Sequence, residues 1–180
     1  TPLHAPSGPD LDDRPLAVSV GDTLQAPACA PSLPAMLARA AREHPAHGIT
    51  YLDDGSGEGP TQTYRALADD AARVLAGLRE AGVRPGDRVL LQFSDNRSML
   101  TAFWACVLGG AQPIPVAVPA SDDADNKDLG KLVNAWPALA LSRVLSSRAH
   151  AVSVDALARL LGDAAVPVLW LETLQAAEHP

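Results

Sequence analysis

The residues able to do chemistry in this sequence fall into a few short groups, and each also has a plainer structural use. Gly55-Ser56-Gly57-Glu58-Gly59 is glycine-rich, the composition that lets backbone amides close around a phosphate. It lacks a following Lys-Ser or Lys-Thr and stands before an extended segment instead of joining strand to helix. It therefore matches neither a P-loop nor a dinucleotide fingerprint, and reads as a hairpin turn. Asp122, Asp123 and Asp125 could share a magnesium ion, or form a solvated loop that caps the next helix; the loop is the preferred reading. His44 and His47 flank a proline turn with no further group spaced to complete a metal set, so they read as surface histidines. Ser98 and Ser153 show no accompanying His and Asp pattern. Trp104 and Trp136, at helical positions, read as core and not as a ligand platform. Lys127 and Lys131 sit in a helical stretch beside Asp125 and Asp128 and read as surface pairs. No residue is assigned a catalytic, cofactor-binding or metal-binding role.

The elements that would position such groups follow from composition and periodicity. The chain has 180 residues, 47% hydrophobic and 19% charged, a balance that supports one globular domain with a real core. Asp and Glu number 21 against 14 Lys and Arg, a net charge of −7, which argues against a nucleic-acid partner. No apolar run approaches the roughly 20 residues that span a bilayer, and the opening Thr-Pro-Leu-His-Ala-Pro has no secretion-signal pattern. Cys29 and Cys106 form no close-spaced pair, and a reduced, cytoplasmic protein is the simplest expectation.

Residues 1–31 hold six prolines without helical period and are expected to be an extended leader or linker, with Leu16-Ala17-Val18-Ser19-Val20 as a short strand. A folded unit is expected over residues 32–180. Ser32 caps a helix with Leu33, Met36, Leu37 and Ala40 on one face, ending near His44-Pro45. Ile49–Leu52 and Thr61–Thr63 are extended. Leu67, Ala71, Val74, Leu75 and Leu78 mark the clearest helix, stopped by Gly82. Arg88–Phe93 is nearly all apolar, as in a strand covered on both faces. A helix over 96–108, an extended 112–116, a helix ended by Pro137, a strand at 143–145, a helix through Val154–Leu161 and a strand at 166–170 follow. This alternation predicts an α/β fold, three-layered, with a mostly parallel sheet and helices on both faces.

Three segments, taken in order, resemble the adenylate-forming superfamily of acyl-CoA synthetases, fatty-acyl-AMP ligases and nonribosomal peptide adenylation domains. They are Thr63-Tyr64-Arg65-Ala66-Leu67, Gly82-Val83-Arg84-Pro85-Gly86-Asp87-Arg88-Val89, and Ala102-Phe103-Trp104-Ala105 running on to Gly109-Gly110-Ala111 with Pro113-Ile114-Pro115. The glycine-rich turn after Tyr51-Leu52-Asp53 and the stretch Val116-Ala117-Val118-Pro119 are most similar to the fatty-acyl-AMP ligase branch. Ala66, where Glu is common, and Gln112 depart from the pattern.

The resemblance implies an N-terminal subdomain that is incomplete. The family's phosphate loop, a Ser/Thr/Gly-rich run ending in Pro-Lys, has no match between Thr1 and Pro180, nor do the later ribose-binding acid and lid lysine. For a complete parent enzyme the resemblance implies ATP and magnesium as cofactors and a carboxylic acid as substrate. The expected partners are the remainder of the enzyme or megasynthase and a carrier protein's phosphopantetheine, in a polyketide or nonribosomal peptide assembly line. A non-catalytic remnant acting as a scaffold or docking domain is the alternative, and an unrelated small α/β binding domain is a third reading.

Overall fold

The computed structural model describes residues 21, 30–53, 57–119 and 126–176. Most of the leader, the strand expected at Leu16–Val20 and the loop with Asp122, Asp123 and Asp125 lie outside the described residues.

Helix α1 (Leu33–Glu43) begins where expected, with the Ser32 side chain accepting from the Ala35 N–H and a proline in the first turn. Of its apolar positions only Leu37 is buried, while Leu33 and Met36 are 50% and 44% exposed. Spacing marks an apolar face but does not say what covers it. Strands β1 (Gly48–Asp53) and β2 (Gly57–Thr63) form an antiparallel hairpin. Gly48 is required there, because a Cβ would lie 2.1 Å from the Gln62 carbonyl oxygen.

Thr63 caps helix α2 (Tyr64–Glu80) through its side-chain oxygen, and Leu67, Ala71, Val74 and Leu78 are buried along one stripe. The chain continues through β3 (Arg88–Gln92), α3 (Asn96–Leu108), β4 (Gln112–Val116), α4 (Lys127–Leu139), β5 (Arg143–Ser146), α5 (Ala151–Leu161), β6 (Val168–Trp170) and α6 (Leu171–Ala176). The four strands β4-β3-β5-β6 lie in that order, and all pairs are parallel.

Burial explains why β3 is central and uninterruptedly apolar. Val89, Leu90 and Leu91 are each 0% exposed, because the pleat sends alternate residues to opposite covered faces. Val89 and Leu91 join Leu145 in a core with α2, α3 and α6, whereas Leu90 joins Val144 in a second core with Leu129, Trp136 and Leu157 of α4 and α5. This is the three-layer arrangement expected from the sequence.

The two motifs that flank β3 and α3 interlock. Asp87 closes its own turn by accepting the Arg84 N–H at 2.9 Å. The Gly86 N–H then donates to the Gly110 carbonyl at 2.9 Å, and the Gln112 N–H to the Asp87 carbonyl at 2.7 Å. Gly86 and Gly110 adopt φ of +90° and +71°, a region in which an L side chain is strained.

Several elements differ from expectation. β2 starts at Gly57, so Gly57-Glu58-Gly59, expected in the turn, belong to the strand. Pro137 does not end α4, which runs on to Leu139 and stops at Ala140 in the left-handed region (φ 46°). A proline in a last turn forfeits one hydrogen bond, and the buried Trp136 beside it, donating from Nε1 to the Ala164 carbonyl at 2.9 Å, holds that turn in place. β6 is shorter than expected, starting at Val168. Helix α6 has six residues, too few to show a period in sequence. It is held by close approach to α2, where a Cβ on Gly77 would meet Leu174 Cδ2 at 2.8 Å.

Candidate functional site

In an open parallel sheet, ligands gather outside the carboxyl ends of the strands where the strand order reverses. Here β4 lies on one side of β3 and β5 with β6 on the other, so that crevice falls between the ends of β3 and β5. Four polar residues meet there. The buried Ser146 Oγ donates to the Gln92 carbonyl at 2.8 Å. The Ser94 N–H donates to His150 Nε2 at 3.2 Å, and Ser94 Oγ lies 3.1 Å from the same nitrogen. A nitrogen that accepts a backbone N–H carries no proton, so His150 is held as the Nδ1–H tautomer. The Gln92 side chain, on a residue 0% exposed, has neither amide atom hydrogen-bonded among the described residues.

A second polar group joins β5 to α6. Glu172 accepts from Ser147 Oγ at 2.6 Å and from the Arg148 N–H at 3.1 and 3.2 Å. Arg148 donates to Thr173 Oγ1 at 3.0 Å, and its guanidinium lies 5.7 Å from the Trp170 ring centroid. Desolvation pushes the Glu172 carboxyl up, but the Ser147 hydroxyl, the backbone N–H groups and the Arg148 charge together hold it below the usual carboxylate range.

Beside the crevice, a cavity of about 400 Å³ lies between the hairpin and the start of α3, lined by Tyr51, Pro60, Ser94, Asn96 and Arg97 among others. From Tyr51 in its wall a hydrogen-bonded chain runs to α2: Tyr51 Oη donates to Gln62 Oε1 at 2.7 Å, and Gln62 Nε2 to Asp70 Oδ2 at 2.8 Å. Asp70 pairs with Arg73 and stands 4.0 Å from Arg97. Burial raises the Tyr51 phenol; Arg97 opposes this, and Asp95 and Asp70 add to it.

This arrangement can bind and orient a ligand. Ser94 and His150 have the nucleophile–base spacing, yet among the described residues no carboxylate bonds the other ring nitrogen of His150. No group of three metal-ligating side chains occurs among the described residues. His44 and His47 are exposed, their rings 5.5 Å apart in the turn after α1. Ser98 donates its N–H to the α3 cap Asp95, and Ser153 lies in α5 with its hydroxyl buried. Lys131 pairs with Asp128 at 2.9 Å on the surface, as expected. Trp136 is core; Trp104 is half-buried and also walls an apolar groove of about 270 Å³ with Met36, Leu37 and Leu67. Burial pushes the Cys106 thiol up to about 12, so it stays protonated and unreactive. Sequence reading missed Ser94, His150 and Glu172. The signal was their position, within a few residues of a strand's carboxyl end.

The comparisons with known proteins agree with this fold. The family model of AMP-binding enzymes matches residues 37–160. A solved adenylation domain of a keto acid-selecting NRPS module, bound to keto acyl adenylate, is 37% identical over 83% of this chain with a TM-score of 0.71; the match spans 28% of that domain. The fatty acid AMP ligase of Legionella pneumophila is 27% identical over 79% of this chain, with a TM-score of 0.65 and 23% of its own length covered. Among curated relatives, feruloyl-CoA synthase of an Amycolatopsis species is 40% identical over 70 residues, 37% of this chain and 14% of that enzyme. The chain thus spans a small part of the relatives it matches. It belongs to the AMP-binding, adenylate-forming enzyme family. Among the described residues, no helix is long and apolar enough to cross a membrane.

Proposed function

We propose that this chain is the N-terminal part of an ATP-dependent acyl-adenylating ligase working in a polyketide or nonribosomal peptide assembly line. The observation that carries the reading is the 37% identity, over 83% of this chain, to a domain solved with keto acyl adenylate, of which this chain spans 28%. In such a reaction a carboxylate oxygen attacks the α-phosphorus of ATP and pyrophosphate leaves. A carrier protein's thiol then attacks the acyl carbonyl and AMP leaves. Solved multidomain relatives, among them an adenylation–PCP structure at 31% identity, support a carrier protein as partner. The higher identity to keto acid-selecting domains than to the fatty acid AMP ligase gives the assembly-line reading more support than a fatty-acyl one.

The described residues do not fit ATP and magnesium. Arg148 at the crevice is committed to Thr173 and Trp170, and the carboxylate of Glu172 stands beside it. An ATP site would need donors and a cation placed for the phosphates. On this reading the chain supplies a rigid wall of the enzyme, a setting that fits a cytoplasmic protein, and the nucleotide-binding groups belong to the longer polypeptide.

Pyrophosphate exchange with a panel of fatty, hydroxy and keto acids tests this. The 180-residue chain is expected to show no exchange above a buffer blank, and the longer polypeptide is expected to show it. Exchange by the short chain that a substitution within it abolishes would overturn the reading. Lack of exchange by the longer polypeptide would favour the scaffold alternative.

A further inference from the structure

A guanidinium on α3 stands among hydrogen-bond donors with no full partner of its own. Among the described residues, Asp70 is the one carboxylate lining a cavity of about 350 Å³ between α2, α3 and α6. Its two oxygens are shared three ways. Oδ1 pairs with Arg73, and Oδ2 accepts from Gln62 Nε2 at 2.8 Å. Arg97 reaches the same Oδ2 only at 4.0 Å, beyond hydrogen-bond length, and bonds no other group among the described residues. The buried Gln62 amide is fixed in direction, because its Oε1 accepts from Tyr51 Oη at 2.7 Å. Asp70 therefore cannot swing to Arg97 without breaking that bond. Ser98, Thr101 and Gln175 complete the wall, and all three side chains can donate. Neither the Ser98 hydroxyl nor the Gln175 amide is hydrogen-bonded among the described residues. Asp95, the other carboxylate near Arg97, lines the neighbouring cavity and is taken by the Ser98 N–H at 2.7 Å. Around this wall two guanidiniums face one carboxylate, which leaves a single positive charge unmatched.

We infer that this cavity binds one carboxylate, gripped by the fork of Arg97 with Arg73 and Ser98 beside it. Geometry and charge both select that class. A guanidinium presents paired N–H donors that match the two oxygens of a carboxylate. One unmatched charge balances a monoanion, whereas a phosphate dianion would be left in excess beside Asp70. An apolar ligand finds no complement, since every residue of the wall is polar or charged. The cavity shares no residue with the crevice between β3 and β5, and the inference does not rest on the ligase reading. Arg97 is about half exposed, so water competes and the affinity is expected to be millimolar. Two sources carry this chemistry: a free carboxylic acid, and an acidic side chain of another polypeptide segment.

Nitrogen-edited NMR on the 180-residue chain, at constant ionic strength, tests the assignment. It follows the Arg97 Nε–H and Ser98 amide signals during titration with sodium acetate and with a blocked glutamyl peptide. A saturable shift of both signals is expected, with none from sodium chloride alone. Tighter binding of the peptide than of acetate assigns the site to a polypeptide side chain, and the reverse order to a free acid. Arg97→Gln should weaken binding about tenfold or more. Asp70→Asn keeps an acceptor for Gln62 and removes the competing charge, so it should tighten binding several-fold. That gain is one a purely structural role for the cluster would not produce. Absence of a saturable shift overturns the proposal, as does unchanged affinity in Arg97→Gln or weaker binding in Asp70→Asn. Inorganic phosphate binding more tightly than either carboxylate overturns the ligand class. A response seen only in Glu178→Gln would give the fork to the chain's own carboxylate and overturn the proposal too.

Discussion

The two faces of the parallel sheet are finished to different degrees. On the α2/α3/α6 side, Val74, Leu78, Val89, Leu91, Ala105 and Cys106 are all 0% exposed and part of one continuous core. On the α4/α5 side the buried cluster is smaller, and Leu132, Val133 and Leu161 only partly cover it. That second side also carries the polar exceptions. Gln92 follows Leu90 on the same face of β3, and its amide is without partners among the described residues, as is the Ser153 hydroxyl of α5. No buried side-chain polar atom of the first face is left without a partner among the described residues. The second contains a buried amide and a buried hydroxyl with no protein partner among the described residues, a costly arrangement for polar atoms.

The largest expected effect tests the contrast by truncation. Leu78→Ala should cost about 3 kcal/mol, from lost transfer energy and the cavity left in a tight core. Leu157→Ala should cost nearer 2 kcal/mol, because its partly covered surroundings collapse more readily. Midpoints of urea unfolding report both, and equal losses would break the comparison.

A smaller effect of opposite sign sharpens it. Gln92→Met replaces an unbonded buried amide with an apolar side chain of similar length, and should stabilise the chain by about 1 kcal/mol. A loss of that size would mean that the amide is bonded and the second face better satisfied than the first comparison holds.

The smallest effect belongs to the exposed clasp that joins β5 to α6. Glu172 has a folded value below its ordinary 4.5, so its contribution is fully present above that value and is lost as acid protonates the folded carboxylate. The stability gap between the parent chain and Glu172→Gln should therefore shrink as pH falls from about 6 to about 3. Solvent screening keeps that gap well under ~1 kcal/mol. Unfolding midpoints at the two pH values decide it, and a gap that widens in acid would refute the assignment.

The same contrast governs what could be read from sequence. On the first face α2 was legible from its strong period and its Thr63 cap, and α3 from its stop at Gly109-Gly110. The parallel sheet followed from the alternation of strands and helices, and the central place of β3 from the unbroken apolar run at Val89–Leu91; the strand order itself was not readable. Three-residue β6 and six-residue α6 were too short to show a pattern, and α4 continued past Pro137 because tertiary anchoring of Trp136 overrode a local signal. Ser94 and His150 were illegible as a pair for another reason. They lie 56 residues apart in the chain and meet only because β3 and β5 are neighbours.

The interlock of the two glycine turns bears on the order in which the chain folds. Arg88 and Gln112, which bond across it, are 24 residues apart, whereas Arg88 must reach 51 residues to the Leu139 carbonyl and Arg143 62 residues to that of Ala81. Closing the shorter loop sacrifices less chain entropy, so β3, α3 and β4 can assemble as a local nucleus. The positive-φ glycines at its mouth fix the meeting angle before any distant strand arrives. β5 and β6 can then add onto a template already formed.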